Sequence, residues 1–317
     1  MNCTICQSEK TKKFGKDRHG NQRFRCLDCK KTFQQEREKP LGEMTLPIDK
    51  AIAVLRCLVE GCSIRSTERL TGVNRGTILS LLETVGEKCI RLFDELVQGI
   101  RVSDVQCDEI WGFVGMKQKT ANKQGLGEAS TVGDAWCFVA IEQHTKLILA
   151  YHLGRRTSTD TEIFTEKIER ATVGNFQINT DGFAGYKEAI SLSLGTRVDF
   201  AQIIKVYGKA EGEEHRYSPA QVTEIKKNAV LGNPDLEKAG TSHIERQNLT
   251  IRMSNRRMTR LTNAFSKKHA NLNYSYAIHF FHYNFLRIHS TLRVTPAMES
   301  KITNKVWTWE DLLEEKV

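Results

Sequence analysis

Two sets of residues have types and spacings that do chemistry. Cys3-x-x-Cys6 and Cys26-x-x-Cys29, with 19 residues between the pairs, match the two-knuckle spacing of a tetrahedral structural zinc site. Four thiolates satisfy zinc completely and leave no position for water, so the expected Zn²⁺ is structural and stabilises a module with little core of its own. A redox dithiol or disulfides are the alternatives. A cytosolic setting and the lack of a thioredoxin-like βαβ pattern around the pairs weigh against both. The other five cysteines, Cys57, Cys62, Cys89, Cys107 and Cys137, stand among apolar residues and read as core.

The second set is Asp108, Asp181 and Glu245. Asp108 lies in an extended run, Asp181 opens an Asp-Gly turn, and Glu245 is the one acid in the arginine-rich stretch Thr241–Arg257. Two carboxylates at a strand edge and a third from a helix suit Mg²⁺, which binds through few carboxylates and keeps waters and substrate oxygens. Ions held there would orient a water for in-line attack on a phosphodiester and stabilise the leaving oxygen. At helical spacing Glu245, Asn248, Arg252 and Arg256 share one face, while Ile244, Ile251 and Met258 form an apolar stripe. Arg252 is thereby placed to hold phosphate. Each acid also has a plainer reading: Asp108 as a buried acid bonded to backbone, Asp181 as a turn residue, and Glu245 closing an S-x-x-E capping box with Ser242. Asp104, Glu109 and Asp134 are rival acids. Strand alternation puts Asp104 on the Asp108 face and Glu109 on the other.

The elements that must position these residues follow from periodicity. Ile48–Val59 repeats at helical spacing and ends at Gly61, and Ser63–Leu70, Thr71-Gly72-Val73 and a longer helix from Asn74 lay out a helix-turn-helix. Its recognition helix would present Asn74, Arg75 and Thr77 to DNA while Ile78, Leu81 and Leu82 pack inward. A helical hairpin serving only dimerisation is the alternative. From Ile100 the pattern turns extended, with strands expected over Val102–Val114, Ala135–Glu142, Leu147–Leu153, Gln177–Thr180 and Val198–Tyr207. Helices are expected over Ser158–Ala171 and Phe183–Leu192. The order β-β-β-α-β-α-β is that of a ribonuclease H-like fold, in which the strands carrying Asp108 and Asp181 are neighbours. Gly208–Gly240 is polar and reads as a flexible connection, Asn271–Phe285 as a helix, and Trp307-Thr308-Trp309 as packing onto the body. The fold class expected is α/β. Its parts are a zinc-ribbon-like module over 1–39, a helix-turn-helix module over 40–99, a catalytic core over 100–300 and a tail over 301–317.

The 317 residues are 39% hydrophobic with a net charge of +9, a soluble composition whose basic surplus suggests a polyanionic partner. The surplus lies at the two ends. Residues 1–39 hold 11 lysines and arginines against 5 acids, and residues 243–293 hold 9 against 1. Lys12, Lys13, Arg18 and Arg23 lie with Phe14 and Phe24 between the cysteine pairs, a basic hairpin suited to phosphate. No apolar run reaches the ~18 residues of a membrane span and the start lacks the apolar region of a signal peptide, so a cytoplasmic, nucleoid-associated protein with no membrane partner is expected.

Taken together, the cysteine pairs, Cys107-Asp108-Glu109-Ile110-Trp111-Gly112-Phe113-Val114-Gly115, Thr180-Asp181-Gly182-Phe183, His243-Ile244-Glu245-Arg246-Gln247-Asn248-Leu249 and Tyr283-Asn284-Phe285…His289…Thr295-Pro296-Ala297-Met298 resemble the DDE transposases, specifically the insertion-sequence-one family in its single-reading-frame form. The resemblance spans most of the chain, and 208–240 carries no matching motif. It implies a catalytic triad of Asp108, Asp181 and Glu245 with Mg²⁺ or Mn²⁺, Arg252 as the basic residue seven positions on, and N-terminal modules that bind terminal inverted repeats. The activity implied is hydrolysis at the element's 3′ ends and attack of the freed 3′-hydroxyl on target DNA. Pairing two double-stranded ends implies a homodimer or larger assembly. Two other readings account for part of this pattern: a zinc-dependent DNA-binding regulator with a non-catalytic ribonuclease H-like scaffold, and a ribonuclease H-like nuclease such as a resolvase.

Overall fold

The computed structural model describes residues 2–17, 22–34, 40–126, 131–208 and 222–315. The chain divides into two compact units, Met1–Glu43 and Met44–Val317. Arg18 and residues 209–221 of the 208–240 segment lie outside the described residues.

The first unit is a three-stranded antiparallel sheet of β1 (Thr11–Lys16), β2 (Gln22–Cys26) and β3 (Thr32–Gln34). Its core is small: Cys3, Cys26 and Phe33 are buried, with Phe24 and Cys29 packed against them. So few apolar side chains supply little stability, which makes a bound metal the natural complement.

The second unit begins with α1 (Ile48–Val59), α2 (Ile64–Thr71) and α3 (Arg75–Leu96). Ser63 caps α2 by accepting the Ser66 N–H, Gly72 ends it with φ of 70°, and Asn74 caps α3 by accepting the Gly76 N–H at 2.8 Å. Ile78, Leu81 and Leu82 are buried as their spacing predicts. Next come β4 (Ile100–Arg101), β5 (Asp104–Val114), α4 (Gln118–Lys123), β6 (Gly133–Glu142), β7 (Ile148–Gly154), α5 (Ser158–Ala171), β8 (Thr172–Val173), β9 (Phe176–Asp181), α6 (Gly185–Ser193), β10 (Val198–Tyr207) and β11 (Val222–Leu231). After the sheet come α7 (Ser242–Ser254), α8 (His269–Phe281), α9 (Pro296–Glu299) and α10 (Trp309–Glu314).

This is a mixed α/β architecture around a six-stranded mixed sheet of order β11-β10-β9-β5-β6-β7. β5, β6 and β7 are antiparallel neighbours, β9 lies parallel to both β5 and β10, and β11 closes one edge antiparallel to β10. β4 and β8 form a separate two-stranded pair. One face of the sheet carries α5 and α6, where Phe138, Phe164 and Tyr186 pack ring to ring. The other carries α7 and α8, with Tyr151 of β7 between Phe93 of α3 and Phe280 of α8. Residues 44–317 thus hold together through α3, which approaches α8 so closely that a Cβ on Gly86 would lie 2.4 Å from the Cβ of Tyr274.

Three expectations change. Within Gly208–Gly240, residues Val222–Leu231 form the strand β11 rather than a loose connection. Both its faces are largely exposed, so no apolar alternation marked it. The helix expected over Asn271–Phe285 starts at His269 and widens into a π-helix over His282–Leu286. There the buried Asn284 pairs its side-chain amide with the backbone N–H and C=O of Ile148. Cys89, Cys107 and Cys137 are core, but Cys57 and Cys62 are only half-buried. Trp309 packs as expected, stacked on His282. Among the described residues no helix is long and apolar enough to cross a membrane.

Candidate functional site

In the first unit the four cysteine sulfurs lie within 4.8 Å of one another. Cys3 and Cys29 are 3.7 Å apart and Cys6 and Cys26 3.6 Å, close to the ~3.8 Å edge of a tetrahedron built on zinc–sulfur bonds of about 2.3 Å. The two knuckles share a backbone frame and differ in which N–H meets the first thiol. Cys3 accepts the N–H of Ile5 and Cys26 that of Cys29. The backbone N–H groups of Cys3 and Cys26 bond the carbonyls five residues on, and Gln7 and Lys30, each following a second cysteine, have positive φ of 59° and 61°. The backbone bond from Cys29 holds the Cys26 thiol down at about 6, while the neighbouring sulfurs push Cys6 up, so the cluster favours one thiolate readily and the others only with a cation among them. The group could hold zinc. Lys12 and Lys13 are exposed on β1, and Arg23 donates to Thr32 while lying over the Phe14 ring.

In the second unit the parallel register of β5 and β9 pairs Cys107 with Thr180, so the next residues, Asp108 and Asp181, meet where β9 ends. Beyond that point β5 has no neighbour on the β9 side, and a cleft opens. Asp108, Asp181 and Glu245 all line it, together with Arg156 and Lys205.

The closest acids are Asp108, Glu109 and Asp181, each offering an oxygen within 4.8 Å of the others. Alternation does send Asp108 towards α7 and Glu109 towards α6, but the strand end at Asp181 is reached from both faces. Burial, then the neighbouring Asp181, pushes the Asp108 carboxyl up to about 6 and that of Glu109 up to about 7. Glu109 Oε1 is buried beside the Tyr186 hydroxyl, which favours the ionised carboxylate against that burial. Two oxygens on one Mg²⁺ at about 2.1 Å stand roughly 3–4 Å apart, so small side-chain rotations suffice. The mutual repulsion of these close carboxylates fits a divalent cation.

Glu245 stands across the cleft on α7, outside this tight group. The capping box of its plainer reading does not form: the N-cap is Thr241, whose hydroxyl donates to Glu245 Oε1 at 2.5 Å, and Lys205 Nζ donates to the same oxygen. The first turn of α7 is capped from another element instead. The buried Gln106 of β5 accepts the N–H groups of His243 and Ile244 at 2.9 and 3.2 Å. Asn248, one turn past Glu245, donates to Asp108 Oδ2 at 2.8 Å, and Ile244, Ile251 and Met258 are buried as the stripe required. Met258 fits because Gly112 of β5 has no side chain to meet its Sδ and Cε. Arg252 donates to the Met258 carbonyl at 3.2 Å, and Arg256 follows α7 in a short turn.

The rival acids divide. Asp104 accepts from Asn179 and Asp134 from the backbone of Gln118, so both serve the scaffold. Asp181 keeps its turn role too, accepting the Phe183 N–H at 2.9 Å. Periodicity did not reveal Arg156. It donates to Glu109 Oε2 at 3.1 Å, lies 3.8 Å from Asp181, and is sandwiched between the Trp136 and Phe183 rings. The Gly154-Arg155-Arg156 turn marks only a loop, and what the second arginine meets depends on three distant strands. Asn74, Arg75 and Thr77 gather at the start of α3. Asn74 is engaged as the cap, Arg75 is exposed and Thr77 half-buried. No family model matches the chain, and no curated protein matches it.

Proposed function

We propose that the protein is a DNA transposase of the DDE type, acting on the ends of an insertion sequence as its resemblance to the insertion-sequence-one family implies. The carrying observation is the meeting of Asp108 and Asp181 on adjacent parallel strands, with Glu245 on a helix across one cleft. The strand order β7-β6-β5-β9-β10, with three antiparallel strands followed by two parallel ones, supports a ribonuclease H-like core. The capped, Gly-linked α2 and α3 support a helix-turn-helix whose exposed start offers Asn74, Arg75 and Thr77 to DNA.

Asp108 and Asp181 would hold a divalent cation, joined by Glu245 once it leaves Lys205. Such an ion, Mg²⁺ or Mn²⁺, supplies activation of water and stabilisation of charge on the leaving oxygen. Asn248 fixes Asp108 Oδ2, and Gln106 anchors α7 so that Glu245 faces the strand end. Arg252 and Arg256 add positive charge for phosphate at the far end of α7. In the reaction proposed, water attacks the phosphodiester at the element's end and the bond to the 3′ oxygen breaks. The freed 3′-hydroxyl then attacks a target phosphodiester, so one P–O bond forms as another breaks and ATP is not required. The Cys3, Cys6, Cys26 and Cys29 group would carry structural zinc in a terminal-repeat-binding unit, with Lys12, Lys13 and Arg23 on phosphate.

The test uses DNA carrying the inverted repeats that this reading predicts on either side of the coding sequence. Asp108→Asn, Asp181→Asn and Glu245→Gln are expected to abolish Mg²⁺-dependent cleavage while leaving binding to the repeats intact. Normal strand transfer by all three variants would sink the proposal. Repeat binding with no cleavage by the unaltered protein would favour a DNA-binding regulator on a non-catalytic scaffold.

A further inference from the structure

Glu109, Trp111 and Phe113 alternate along β5 and so share the sheet face opposite Asp108. Trp111 is the register partner of Trp136 on β6, which puts both indoles on that face. From there the rings form a row of two contacting groups joined by that register pair. Phe183 and Trp136 clamp Arg156 at 4.2 and 4.9 Å, Trp111 meets Phe113 at 5.8 Å, and Phe113 meets Phe265 at 4.6 Å. Each stretch carries a cation: Arg156 at the inner end, Lys117 over Trp111 and Lys267 only 3.5 Å over Phe265. All five rings are half-buried rather than sealed in the core. The inner end reaches the acids directly, because Arg156 contacts Glu109 and lies near Asp181.

A core packing role explains neither the lysines nor the partial exposure. Lysine ammonium groups need water or an anion, and a ring that only filled a core would be covered. Rings interleaved with cations offer π-faces for bases and charge for the phosphates between them, the composition that recognises an unpaired strand. Duplex DNA hides its base faces in the stack and presents phosphates, sugars and base edges, so it would use the cations and leave the rings without bases to stack on.

We propose that this row is the path of an unpaired DNA strand leading into the Asp108–Asp181 cleft, so that the substrate end is frayed when it is processed. The inference rests on the reading of the cleft as a strand-processing centre, and it adds the conformation of the DNA that the centre accepts.

The experiment titrates zinc-loaded Asp108→Asn protein, without added Mg²⁺, with a fluorescent short oligothymidylate and with the same length of duplex, reading anisotropy and tryptophan emission. Tryptophan emission should be quenched by the single strand, which should bind more tightly than duplex. Trp111→Ala and Phe265→Ala should each weaken single-strand binding by about tenfold. Lys117→Gln combined with Lys267→Gln, surface changes that leave the fold intact, should flatten its salt dependence by about one phosphate contact or more. Single-strand affinity unchanged in both the ring and the lysine variants would overturn the proposal, as would equal quenching by duplex. Variants that leave DNA binding unaltered but change the protein's mass in solution would make the row a protein-binding face and likewise overturn it. The two readings separate cleanly. Cleavage of repeat ends that ignores the row refutes only the strand path, whereas row-dependent single-strand binding without cleavage under any condition refutes only the transposase reading.

Discussion

At the scale of single residues, the cleft depends on side chains whose partners come from other elements. Gln106 is buried and satisfies two N–H groups at the start of α7. Gln106→Leu leaves both unpaired and should lower stability by about 2 kcal/mol, measured by denaturant unfolding. Lys205 occupies Glu245 and adds positive charge beside the acids, so Lys205→Met should tighten Mn²⁺ binding several-fold in a calorimetric titration. A weaker site would show that Lys205 organises the acids rather than competing for them. The pair Asp108 and Asp181 was legible as two acids on neighbouring strands, and Glu109 only as a rival. Alternation counts faces along a strand, but it does not register that the neighbouring strand stops. Lys205 and Arg156 left no trace because their roles depend on pairings between distant segments. Residue chemistry also sets acid stability. Burial holds the His279 imidazole down at about 3, and neither ring nitrogen has a hydrogen-bond partner among the described residues. A depressed value keeps the folded state neutral, so this contribution is present above about pH 6.5 and is lost as pH falls towards about 3. Between pH 6.5 and 5 the loss is on the order of 2 kcal/mol. His279→Phe should flatten the fall of Tm across that window, and an unchanged slope would assign the acid loss elsewhere.

At the scale of elements, the helices and central strands followed their periodicity, and the failures share one cause. β11 is an exposed edge strand, so burial never imposed a pattern on it. The start of α7 looked like a self-contained capping box, yet its cap comes from β5, and a local motif could not foresee a donor pair satisfied across the fold. Contact between α3 and α8 is governed by the missing side chain of Gly86. Helix propensity alone predicts that Gly86→Ala stabilises α3 by about 1 kcal/mol. Packing predicts the opposite sign, because the new Cβ meets the Tyr274 Cβ at 2.4 Å and its Cα at 2.9 Å. A clear drop in Tm for Gly86→Ala is therefore expected, and a rise would show that the two helices separate freely.

At the scale of the molecule, the two units draw stability from different sources. Among the described residues of 1–43, the core cluster is Phe33 with the buried Cys3 and Cys26. Zinc removal, or Cys26→Ser, should unfold this unit alone, and circular dichroism with metal analysis should find one zinc per chain and most of the helical signal retained after chelation. The larger unit has an extensive apolar core and concentrates carboxylates where β9 ends. The account stands or falls on whether those carboxylates form a metal centre. The direct measurement is a calorimetric titration of Mn²⁺ into the zinc-loaded protein. A saturable site is predicted that disappears in Asp108→Asn and in Asp181→Asn and persists in Asp134→Asn, whose acid serves only the scaffold. Binding that survives both cleft substitutions unchanged would contradict it.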